Sequence, residues 1–185
     1  MKNLILKTLL IITLLFNIKV TSQILLNNDS CFQIYLDKEN MINNAPNYYN
    51  ANSFIIKNNT NKNYIINTRG FIQNSGIVYR NGEILLPYLF YPISKPADWD
   101  EKDCKDNILL VPARKSIRAV LHISILRGWY KITDDANYMV DFETEHTKQS
   151  PYYYGCKKYA DSLVNKGYKI YEGTLKGKVK LISKK

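Results

Sequence analysis

Apolar and polar positions alternate with a period of two over most of this chain. In residues 31–36, Phe32, Ile34 and Leu36 share one face, the mark of a half-buried strand. Residues 53–57 and 64–66 are β-rich runs on either side of a polar turn at 58–62, and predict a strand pair. Residues 76–79 and 83–91 flank Asn81-Gly82, a dipeptide suited to a tight hairpin because both central positions need positive φ. Residues 107–111 predict a further strand, closed by a turn at 112–115. From 116 to 125 the alternation is strict: Ile117, Ala119, Leu121, Ile123 and Ile125 oppose Arg118, His122 and Ser124. Tyr138, Val140 and Phe142 likewise oppose Met139, Asp141 and Glu143, and short strands at 168–171 and 177–182 complete the series. Two stretches, 37–52 and 92–107, are rich in Asn, Pro or acids and read as loops.

One segment departs from this period. Cys156, Tyr159, Leu163 and Val164 recur at helical spacing, and Gly167 is placed to cap a helix over 156–166. The pattern as a whole predicts an all-β fold: an antiparallel β-sandwich with one short helix inserted before the last strands.

The first residues fall outside that scheme. Lys2 precedes an apolar run at 8–16, and a small residue, Ser22, stands before Gln23. A membrane-spanning helix needs roughly 20 apolar residues, so the run is too short to span. It reads as a signal peptide, residues 1–22, leaving 23–185 as one exported domain, periplasmic or extracellular, with no transmembrane segment in the mature chain. Its removal takes Lys2, Lys7 and Lys19 from a formal net charge of +10, leaving +7. A basic chain favours acidic partners, although lysines this dispersed also suit an ordinary solvated surface.

Export lets disulfides form, and the odd count of Cys31, Cys104 and Cys156 leaves one thiol over. No Cys-x-x-Cys pair occurs, and neither a metal nor a cofactor is expected. Hydrolytic triads need a histidine beside a nucleophile, and only His122 and His146 are present. No Gly-x-Ser-x-Gly elbow, phosphate loop or His-Glu-x-x-His motif occurs, so no catalytic residue is nominated. Asp141, Glu143 and Glu145 form a row in which a carboxylate pair or a calcium site is conceivable. Tyr152, Tyr153 and Tyr154 are consecutive and cannot all bury on one side. They either form a contact surface or pack the helix onto the sheets. Nucleic acid is an improbable ligand for an exported chain.

Residues 109–142 resemble the second half of an immunoglobulin-like domain of the kind found in secreted bacterial proteins. Asp134, Ala136 and Tyr138 match the Asp-x-Ala-x-Tyr pattern of the tyrosine corner, and Val140 stands where antibody domains carry a cysteine. The resemblance implies that residues 177–182 pair beside 138–143, which sets Lys176, Lys178 and Lys180 against the carboxylate row. It also implies a Cys31–Cys156 disulfide, with Cys104–Cys156 as the alternative. Finally, it brings 58–62, 112–115 and 146–167 to one end, placing Tyr152, Tyr153 and Tyr154 beside Lys62, Arg114 and Lys115. The expected function is a non-catalytic binding or accessory module for a protein or glycan partner; an inhibitor of a secreted protease or other hydrolase is the alternative.

Overall fold

The computed structural model describes residues 23–43, 52–87, 89–90, 101–123, 128–133 and 135–183. The leader read at 1–22, part of each predicted loop (44–51 and 92–100), and Tyr91, Ser124, Ile125 and Asp134 lie outside them. The described residues are mostly β, with several sheets and two α-helices. The strands are β1 (Ile24–Asn28), β2 (Phe32–Leu36), β3 (Asn40–Asn43), β4 (Ser53–Asn58), β5 (Tyr64–Asn67), β6 (Ile72–Arg80), β7 (Glu83–Leu85), β8 (Leu89–Phe90), β9 (Ile108–Val111), β10 (Ser116–Val120), β11 (Gly128–Trp129), β12 (Tyr138–His146), β13 (Lys169–Ile170) and β14 (Gly173–Ser183). Helix α1 spans Glu101–Asn107, a 3-10 helix spans Ser150–Gly155, and α2 spans Lys157–Asn165.

Two sheets dominate, in the orders β1-β2-β4-β10 and β3-β14-β12-β6-β7. The two-residue period decides what each buries. Phe32, Ile34, Leu36, Phe54 and Ile56 of the first join Val78, Val140, Phe142, Leu175, Val179 and Leu181 of the second in one cluster. Burying each such side chain contributes about 1.5–3 kcal/mol. Asn81 (φ 50°) and Gly82 (φ 92°) form the expected two-residue hairpin, closing Arg80 onto Glu83.

A smaller sheet, β13-β5-β9, stands apart from these. β5 is buried on both faces, which explains its unbroken apolar run. Ile66 joins the main core, whereas Ile65 joins Ile108, Ala160 and Leu163 in a second cluster beneath α2. This sheet, with the helical segments packed on it, makes a cap on the β body.

The structure corrects several expectations. β1 and β3 were not foreseen. The pairings β3–β14 and β13–β5 are parallel, so the sheets are not purely antiparallel. The strand expected over 83–91 stops at Leu85, and Leu89–Phe90 pairs with β11 instead. Residues 101–107, read as loop, are helical. Cys104 and Asn107 are buried there while Lys105 and Asp106 are exposed, too little apolar periodicity to signal a helix.

The disulfide expectation is also overturned. Cys104 bonds Cys156, with Cα atoms 5.2 Å apart, and Cys31 is free and exposed. The unforeseen α1 delivers Cys104 to the start of α2. Cys31 instead sits in the β1–β2 turn, where the Asp29 carboxylate accepts its N–H at 2.7 Å and that of Phe32 as well. No helix among the described residues is long and apolar enough to cross a membrane.

Candidate functional site

The cap is held by a buried polar knot centred on His146, at the end of β12. The ring is fully buried. Its Nε2 accepts the backbone N–H of Asn67 at 3.0 Å, so the proton resides on Nδ1, which donates to Tyr171 O at 2.7 Å. Burial lowers its pKa to about 4, keeping the ring neutral. Phe71 and Tyr171 flank it, with ring centroids 5.1 and 5.6 Å away. The Tyr171 hydroxyl accepts Asn27 Nδ2 at 2.8 Å, and burial raises its pKa. Next to the knot, Asn67 Nδ2 donates to Ser150 O at 3.0 Å and Ser150 Oγ donates to Gly70 O at 2.7 Å. The 3-10 helix is thereby anchored at the far end of β5. Burying these groups without partners would cost about 1–3 kcal/mol each, so their mutual bonding specifies one position for the insertion.

From that anchor α2 packs along the small sheet and ends at Asn165, with Lys166 as its C-cap. Gly167 (φ 89°) donates its N–H to Val164 O, and Tyr168 N–H reaches Leu163 O at 3.1 Å. This is a Schellman cap, with Tyr168 and Leu163 in the same apolar cluster. The cap turns the chain into β13 and opens a cleft of about 560 Å³ between that strand and the 3-10 helix, including Tyr152, Tyr168, Lys148, Gln149, Ile170 and Glu172. Lys148 Nζ lies 3.8 Å from Glu172 Oε1. The cleft is open to solvent and sets two phenol rings among polar side chains.

The tyrosines of the expected surface divide. Tyr152 packs against the second cluster, and Lys157 Nζ sits 5.6 Å from its ring centroid. Tyr153 is half-buried, and the Tyr154 side chain lies outside the described part. Tyr152 thus packs against the helix, one of its two expected roles, and also borders the cleft. Tyr168, Lys148 and Glu172 were missed. Tyr168 sits directly after the glycine cap, the only local signal that could have placed it.

The turns that carry Lys62, Arg114 and Lys115 meet. Asn58 Nδ2 reaches Lys62 O and Pro112 O at 2.8 and 3.0 Å, and Arg114 N–H bonds Thr60 O at 3.0 Å. Arg114 has φ 60°, and its Nε donates to Asn61 Oδ1 at 2.8 Å. β13, which follows the insertion, joins this end through Lys169 N–H to Asn63 O at 2.9 Å. Tyr152 lies on the segment anchored at Asn67, the opposite end of β5 from the turn that carries Lys62, whereas Lys169, beside that turn, borders the cleft as well.

The carboxylate row lies elsewhere, on the five-stranded sheet. Asp141 pairs with Lys178 and Glu143 with Lys176, as the cross-strand reading requires, whereas Glu145 faces Thr174 and Lys180 faces Met139. Lys178 Nζ also lies 4.6 Å from the Tyr79 ring centroid, reaching across β12. Among the described residues no three His, Cys, Asp or Glu side chains group as a metal site would require. His122 is half-buried behind β10, its pKa lowered to about 4 by burial and by Arg69. No family model matches this chain, and no curated protein or solved structure matches it significantly.

Proposed function

We propose that this chain is an exported, non-catalytic recognition module with an immunoglobulin-like core, and that its cap contacts a protein or glycan partner. The observation that carries this reading is the cleft bordered by Tyr152 and Tyr168 on a cap already fixed by a disulfide and a buried histidine. A surface ordered before binding loses little entropy when a partner arrives.

The strand order supports the immunoglobulin-like part. β2-β4-β10 and β14-β12-β6-β7 follow the A-B-E and G-F-C-C′ orders of that sandwich. Tyr138 occupies the tyrosine-corner position, buried, with its hydroxyl 2.8 Å from Thr133 Oγ1. The partner is thus a side chain five residues upstream. The Cys104–Cys156 disulfide accords with an oxidising compartment, which is where export would take the chain.

The test compares wild type with Tyr152→Ala and Tyr168→Ala on glycan arrays and in capture of cell-surface proteins. Capture is lost in the variants while the melting temperature of at least one stays near wild type. Undiminished capture by folded variants overturns the assignment to this cleft.

A further inference from the structure

β13 is the edge strand of the cap sheet, and its geometry defines what can lie beside it. Lys169 N–H bonds Asn63 O at 2.9 Å and Tyr171 N–H bonds Ile65 O at 3.1 Å, so both turn their backbone toward β5. Backbone groups alternate between the two edges of a strand, and the N–H and C=O of Ile170 therefore point the other way. No described strand follows on that side. Ile170 is among the residues that line the cleft, with Tyr168 beside it and Tyr152, Lys148 and Gln149 from the segment before α2.

We propose that an extended peptide occupies this cleft as a second neighbour of β13, paired with the backbone of Ile170. The inference rests on the recognition-module reading and names its partner class. A strand edge presents one donor and one acceptor in the spacing that another backbone matches, and the flanking side chains then select among sequences. Tyr152 and Tyr168 supply the apolar contact for alternate peptide side chains. Lys148 and Lys169 line the cleft with one carboxylate, Glu172, which already lies 3.8 Å from Lys148. The site is therefore positive and favours a peptide carrying Asp or Glu beside its apolar residue.

The probe is a library of random linear peptides displayed on phage and panned against the exported chain. An enriched peptide is then synthesised, together with versions N-methylated at alternate residues. One alternating set abolishes binding and the other is tolerated, because only every second N–H enters a strand pairing. Ile170→Pro weakens binding tenfold or more while the chain stays folded, with some loss of melting temperature because Ile170 packs against the second apolar cluster; an edge strand accepts proline where its nitrogen faces outward. If Ile170→Pro misfolds, the N-methyl series on wild type decides. The proposal is overturned if both methylated sets bind alike, if folded Ile170→Pro binds as wild type does, or if panning enriches no linear peptide. Glycan binding that depends on Tyr152, with no peptide held, sinks the strand-edge inference and leaves the recognition module standing. Failure to hold peptide, glycan or protein removes both.

Discussion

His146 and Asn67 are 79 positions apart in the chain, yet the imidazole Nε2 accepts the Asn67 backbone N–H at 3.0 Å in the interior. That bond needs the neutral ring. The folded pKa is about 4, against about 6.5 in the unfolded chain. Between those values the unfolded state takes up a proton that the folded state does not, so stability is full above pH ~6.5 and falls as the pH drops toward 4. His122 acts in the same direction, discounted because its ring is partly solvated. The His146 contribution is on the order of 3 kcal/mol. Urea unfolding from pH 4 to 8 measures it, and His146→Gln should flatten the slope in that window. An unchanged slope in the variant would show that the knot does not couple to protons.

The disulfide closes a long segment, since Cys104 and Cys156 are 52 positions apart. Constraint of the unfolded chain by a loop of that length is worth about 4 kcal/mol. Replacing both cysteines with serine should lower unfolding free energy by that order. Thiol titration of the non-reduced chain should find one reactive group, on Cys31, before and after denaturation. Two or more would mean that Cys104 and Cys156 are not joined.

Tyr138→Phe removes the hydroxyl that meets Thr133 Oγ1 and leaves the buried ring in place. Destabilisation of about 0.5–1.5 kcal/mol is expected, the usual net worth of one hydrogen bond. In a double-mutant cycle with Thr133→Val the two losses should overlap; full additivity would mean that the pair does not interact.

Gly70 lies where a side chain has no room. A Cβ there would stand 2.7 Å from Ser150 Cβ and 3.0 Å from Asn67 Cβ. Gly70→Ala should therefore cost about 1–3 kcal/mol, the range for overpacking, and loosen the 3-10 helix. Hydrogen exchange at Tyr152, whose N–H bonds Gln149 O at 2.9 Å, reads the loosening directly. Unaltered exchange and stability would place the clamp elsewhere.

Much of the β body was legible in the sequence. Alternation located β2, β10 and β12, because side chains of a strand point to opposite faces at every step, and β-rich runs located β4 and β5, although these two do not pair with each other as expected. Asn81-Gly82 and Gly167 marked their turns because positive φ is a local steric matter. The opposition of Asp141 to Lys178 and of Glu143 to Lys176 followed once β12 and β14 were taken as neighbours. Of the candidate cleft, the sequence marked Tyr152 alone, as part of an unusual aromatic run.

The sequence by itself thus determined which residues extend, which turn, and which face of each strand is apolar. The tertiary structure decided which distant segments meet: Cys104 with Cys156, His146 with Asn67, β13 alongside β5, and Tyr168 across the cleft from Tyr152. The physical reason is range. Backbone sterics and alternation act over a few residues and leave a periodic trace. A disulfide or a buried hydrogen bond depends on surfaces brought together by the whole core, and the chain carries no local mark of its partner.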